Sequence, residues 1–201
     1  MTNSDIATEM LAHVREIDDR GELPLVARRR VTDNLTRCLS DSDAVTFRAL
    51  LGLACAKRAW PVWQSVFEID TWPMDLAEAA LLSLGPIEET QAVDSRELME
   101  VKGHLDEKFL LDEEYFPAVY AGFASWAVAR DVLTRKNQDQ VTGDSELQIP
   151  PDEWDPCFLA SLALAGGATW EGIGSRESRH EFWEWYLASA IPGAFMAIHS
   201  E

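Results

Sequence analysis

The apolar positions of this chain recur in steps of three and four through most of its length, the period of helices laid against a core. Ile6, Met10, Val14 and Ile17 form a first stripe behind a Thr-Asn-Ser cap region, and it ends near Gly21. Pro24 opens a second helix, with Val31, Leu35 and Leu39 on one face and Arg28, Arg29 and Arg30 close to its start. Three arginines at that end oppose the macrodipole, an arrangement eased by acidic neighbours in the fold. Ser40-Asp41-Ser42-Asp43 caps a third helix, which carries Phe47, Leu50, Leu51 and Ala54 and ends in the small residues of Ala-Cys-Ala-Lys-Arg-Ala. A short helix is expected to start afresh at Pro61, with Trp63, Val66 and Phe67, and another runs from Pro73 to Leu84 until Gly85 and Pro86 stop it.

Leu98, Val101, Leu105 and Phe109 make the next stripe, inside a stretch from Glu88 to Glu114 that is otherwise charged. The longest helix is predicted over Glu113 to Leu133, with Pro117 in its first turns. Ala118, Gly122, Ser125 and Ala129 there form a line of small residues suited to close helix contact. Arg135 to Pro151 reads as a polar exposed connection. Asp155-Pro156 then starts a helix that is apolar on nearly all sides and ends at Gly166-Gly167. In the last helix Ser178 and Glu181 match a capping box. Phe182, Trp183, Trp185, Tyr186, Leu187 and Ala190 cover most of its circumference, and Glu177, Glu181 and Glu184 mark one narrow acidic line. Ile191-Pro192-Gly193 reads as a break before a short apolar tail. The pattern predicts an all-α, single-domain bundle of about eight to ten helices, wrapped around this C-terminal aromatic helix.

Charge changes the picture more than composition does. The chain of 201 residues carries a formal net charge of −18, which argues against binding nucleic acid or an anionic membrane. From Arg20 to Arg58 there are eight Lys/Arg against four Asp/Glu; from Ala59 to Ala129 there are fourteen Asp/Glu against three Lys/Arg. Such an asymmetry serves solubility, and it also suits capture of a basic partner. With no apolar run of about 18 residues and no basic-then-apolar leader, neither a membrane span nor secretion is expected, which leaves the cytoplasm. Cys38, Cys55 and Cys157 lack metal-type spacing and read as small buried residues in a reducing compartment.

Catalytic and metal-binding signals are thin. Glu177 and His180 have the Glu-x-x-His spacing of a di-iron bundle, but no second copy of the motif exists. Glu9 with His13, and Glu100 with His104, are spaced by four and are explained by surface helix pairs. Gly172-Ile-Gly-Ser-Arg is a turn rather than a nucleophile elbow or a phosphate loop. Neither a cofactor nor an enzymatic activity is expected. The alternative reading, a helical small-molecule-binding or enzymatic domain, would have its site beside the small-residue helix and use Tyr120, Trp126 or His180.

Several of these segments together carry a resemblance. Ala54-Cys-Ala, Trp60-Pro-Val-Trp with Phe67-Glu68 and Pro73, the small-residue helix at Pro117, and Arg-His-Glu-Phe-Trp-Glu-Trp-Tyr-Leu from Arg179 to Leu187 resemble family five of the bacterial polymorphic-toxin immunity proteins. The similarity runs from about residue 45 onward as scattered positions. It implies an all-helical protein that binds and neutralises a cognate toxin in the cytoplasm, and it carries no binding residues across. Charge density alone selects the candidates: Glu97, Glu100, Asp106, Glu107, Asp112 and Glu113, an acidic surface able to occlude the basic site of a toxin that acts on nucleic acid.

Overall fold

The helix at the centre of the packing is α6 (Phe116–Thr134), and its line of small residues explains why. A computed structural model describes residues 3–85, 93–134 and 145–199, and all elements among them are helical. In chain order they are α1 (Asn3–Leu11), α2 (Leu25–Thr36), α3 (Asp41–Gln64), α4 (Trp72–Leu82), α5 (Ser95–Phe109), α6, α7 (Pro156–Ala165), α8 (Arg176–Trp185) and α9 (Ile191–Ala197), with short 3-10 turns between some of them. Helix α6 packs against α3, α4, α5 and α7. Ala118, Gly122, Ser125 and Ala129 are all buried along it. A Cβ on Gly122 would come within 2.6 Å of both the Leu105 side chain and the Trp63 ring, so α5 and α3 approach closely only because that position is bare.

The all-α class is as the pattern predicts, and most starts follow the expected chemistry. Ser40 Oγ accepts the Asp43 amide at the head of α3, and Asp155 Oδ1 accepts the Phe158 amide at the head of α7. Helix α7 closes on Gly166 in the left-handed conformation, φ 80°.

Four features differ from the sequence reading. Pro61 does not start a helix but sits inside α3 on its exposed side. The one carbonyl it leaves without an amide belongs to exposed Lys57, which water can reach, while buried Trp63 anchors the continuing turn by donating to the Asp70 carbonyl at 2.5 Å. Helix α8 starts one turn early, because Ser175 Oγ accepts the Ser178 amide at 3.1 Å and takes the capping role expected of Ser178 itself. Ile191-Pro192-Gly193 is not a break: the helix widens into one π turn (Tyr186–Ala190) and runs on as α9. The aromatic helix, finally, lies to one side of α6. Phe182, Trp183, Tyr186 and Leu187 are buried as expected, but against α7, α1 and α3.

Some expectations lie outside the described residues: Pro86, the start of the charged stretch at Glu88, and the polar connection over 135–144. No described helix is long and apolar enough to cross a membrane.

Candidate partner-binding surface and its groove

Helix α5 holds one apolar line inward and most of its carboxylates outward. Asp94 accepts the Glu97 amide at 2.8 Å and fixes the start of the helix; Leu98, Val101 and Leu105 are buried. The six acidic residues picked out by charge density are then distributed unequally. Glu100 and Glu107 lie on the outward line of the helix with Gly103 between them, and a Cβ at Gly103 would meet nothing within 4 Å. Glu100 is 3.7 Å from Arg96. Glu97 is half-buried in the first turn. Asp106 points to a different side and is held by Lys102 at 2.8 Å. Asp112 and Glu113 lie beyond the end of the helix, where Asp112 accepts the Glu114 amide at 3.1 Å.

Charge counting overlooked the apolar residues among these carboxylates. Leu110 is 83% exposed, and Met99 and Leu111 are also open to solvent. Exposed leucines inside an acidic border have the make-up of an interaction patch.

The side of α5 that carries Asp106 forms one bank of a groove with a volume of about 470 Å³. Phe109, Tyr120 and Phe123 from α5 and α6 line one wall; Asp152, Trp154, Trp170 and Glu171 line the other. The second wall is clamped from inside. Arg130 of α6 is buried and donates to the Asp152 and Trp154 carbonyls at 2.5 and 2.9 Å. Arg28 of α2 is only 2% exposed; it donates to Asp155 Oδ2 at 3.0 Å, to Glu146, and to the Leu23 carbonyl at 2.6 Å. Its guanidinium also lies over the Phe158 and Trp183 rings, 5.2 and 4.9 Å from their centroids. The acidic neighbours anticipated for the arginine triplet are therefore found at Arg28, and Arg30 pairs with Glu16.

A second buried pair continues this network. Glu22 accepts the Trp183 indole N–H at 2.7 Å and lies 3.2 Å from Arg179, which also donates to the Arg20 and Gly167 carbonyls. Burial pushes the Glu22 carboxyl up to about 7, outweighing the pull of Arg28 and Arg179 in the opposite direction. The folded chain therefore keeps a proton between the ordinary value of 4.5 and about 7 that the unfolded chain has released. The Glu22 contribution to stability is full below that window and is lost as pH rises through it. Denaturant unfolding at pH 5 and pH 8 is expected to give a loss of roughly 1–3 kcal/mol from this group. Glu22→Gln should remove that part of the slope. An unchanged slope in the variant would assign it to other groups.

The histidines singled out in the sequence do not converge. His13 pairs with Glu16 rather than Glu9, His104 with Asp70 at 2.6 Å rather than Glu100, and His180 lies 3.8 Å from Glu184. Burial works to raise Asp70, but the His104 and Lys108 contacts outweigh it and hold the carboxyl below its usual value. Among the described residues no three His, Cys, Asp or Glu side chains form a metal-binding group. Cys38 is exposed, not buried; Cys55 and Cys157, 102 positions apart in the chain, meet between α3 and α7. The hydrogen bond with Cys55, and then burial, push the Cys157 thiol well up, which makes it an unreactive core group. Of Tyr120, Trp126 and His180, only Tyr120 reaches the groove; Trp126 is buried and donates to the Leu98 carbonyl at 2.9 Å.

The groove residues come from separate segments, and sequence spacing joins none of them. One local signal existed, though it is not peculiar to the groove: an acidic residue stands beside Trp154 and Trp170, and also beside Trp183 and Trp185. No curated protein matches the chain. A family model, by contrast, matches residues 9–193, and its description is Immunity protein Imm5. That span takes in all of α2 and the end of α1 as well as the segments that carry the resemblance. The chain belongs to the Imm5 immunity protein family.

Proposed function

We propose that the protein binds a cognate bacterial toxin in the cytoplasm and neutralises it by covering the toxin's site, without catalysis. Membership of an immunity protein family supports the toxin as partner. The acidic surface supports the means. Glu100 and Glu107 lie on the outward line of α5, Asp106 faces the neighbouring groove, and exposed Leu110 and Leu111 stand at the helix end between Glu107 and the pair Asp112 and Glu113 in the chain. Carboxylates at the border steer a basic partner into encounter, and the leucines supply the apolar contact that slows its departure. The observation that carries this reading is the joining of dense negative charge to exposed leucines on one helix end.

The test is capture from lysate of the source cell at low salt, followed by elution with rising salt. A single basic protein released by salt, toxic when expressed without this chain and harmless with it, is the expected result. A captured protein whose toxicity is unaffected by the chain would overturn the reading.

A further inference from the structure

The groove beside α5 combines an aromatic surface with carboxylates that have no cation. Trp170 is 44% exposed, yet its ring rests on Trp154 and Phe158, at centroid distances of 5.6 and 6.2 Å, so the indole surface is presented on a firm base. Glu171, next in the chain, accepts the Tyr120 hydroxyl at 2.5 Å through Oε1 and the Ala168 amide at 2.7 Å through Oε2. Both donors are neutral: burial, then the Glu171 contact, holds the Tyr120 hydroxyl protonated far above its ordinary range. The carboxylate is thus oriented without being neutralised. Asp152 faces the same space, its backbone fixed by Arg130, and no described residue forms an ion pair with its side chain or with that of Glu171. The lysine in the wall, Lys102, is already occupied by Asp106.

We propose that this groove is an arginine pocket, which receives a guanidinium side chain from the protein partner; the identity of that partner as a toxin rests on the function proposed above. A guanidinium fits better than an ammonium for three reasons. It stacks flat on an indole, its fork can bridge two carboxylates, and it is more weakly hydrated when it leaves water. The site is also prepared in advance. Two buried arginines hold one wall and α6 forms the other, so little ordering remains to be done on binding. Its place next to the acidic ridge lets one partner engage both, the ridge by long-range attraction and the pocket by a single inserted side chain.

The probe is the capped peptide acetyl-Gly-Arg-Gly-amide, titrated into the full ¹⁵N-labelled chain and followed by NMR, with the lysine peptide as the comparison. Saturable shifts are expected at the Trp170 indole N–H and at the Asp152 and Glu171 amides, with affinity about fivefold weaker for lysine. Trp170→Ala should abolish those at the two amides. Asp152→Asn, a substitution at an exposed position that leaves the fold alone, should weaken them about threefold to tenfold. Shifts spread evenly over the acidic ridge, or equal binding by both variants, would overturn the pocket. The two proposals fail separately. A captured toxin that leaves Trp170 undisturbed would sink the pocket and leave the toxin reading standing, whereas a peptide-binding groove in a chain that protects against no toxin would do the reverse.

Discussion

Replacing Arg28 by alanine is expected to lower the unfolding free energy by roughly 3–5 kcal/mol, the range for removing one partner from a buried ion pair. The loss has two sources. Glu146 and Asp155, both mostly buried, are left facing each other without a cation, and Asp155 is at the same time the cap of α7. The guanidinium also fills the space over the Phe158 and Trp183 rings, so alanine leaves a void there. Arg28→Met should restore the filling but not the charge, and is expected to recover about 1–2 kcal/mol. Urea unfolding of the three chains settles the point. A loss below about 1 kcal/mol for alanine would mean that the carboxylates relax to solvent and that the clamp is dispensable.

Reversing Glu100, Asp106 and Glu107 to lysine together is expected to weaken partner binding at low salt by roughly a hundredfold, most of it in the association rate. Each substitution replaces an attraction by a repulsion, and all three positions are exposed, so the fold should be little affected. The effect should shrink steeply as salt is raised towards 0.5 M or so, where the Debye length falls below about 5 Å. Surface plasmon resonance with the captured toxin reads both rates. Unchanged association at low salt would remove the α5 ridge from the interface and turn attention to Leu110 and Leu111.

The fold was legible wherever one local rule decided the outcome. Asp155-Pro156 at one end and Gly166 at the other define α7 by capping alone, and the stripe of Leu98, Val101 and Leu105 places the inward line of α5. Misreadings arose where tertiary packing outweighed a local signal. Pro61 and Pro192 look like interruptions, but one sits on the solvent side of α3 and the other follows a π turn, so the helix continues past both. Aromatic bulk at Phe182 and Trp183 correctly indicated burial but said nothing about centrality. That role belongs to α6, whose small residues allow four helices to come near. The acidic candidates on α5 could be picked out because they are adjacent in the chain. The groove could not, because Asp106, Tyr120, Asp152 and Trp170 become neighbours only through the packing of α5, α6 and α7.

The contacts that close the N-terminal stretch onto α7 and α8 have a consequence in time. Trp183 donates to Glu22 across 161 positions, Arg179 to the Arg20 carbonyl across 159, and Arg28 to Asp155 across 127. None of these partners exists while the first helices emerge from the ribosome. At about 5–20 residues per second, synthesis from Glu22 to Trp183 takes on the order of 10 s, and through that interval the charges of Glu22 and Arg28 remain in water. The earliest helices made are thus the last to be locked, and long-range closure of this kind is slow in its own right. On the function proposed above, a toxin already folded when synthesis of this chain starts would meet no closed partner until translation has passed Trp183.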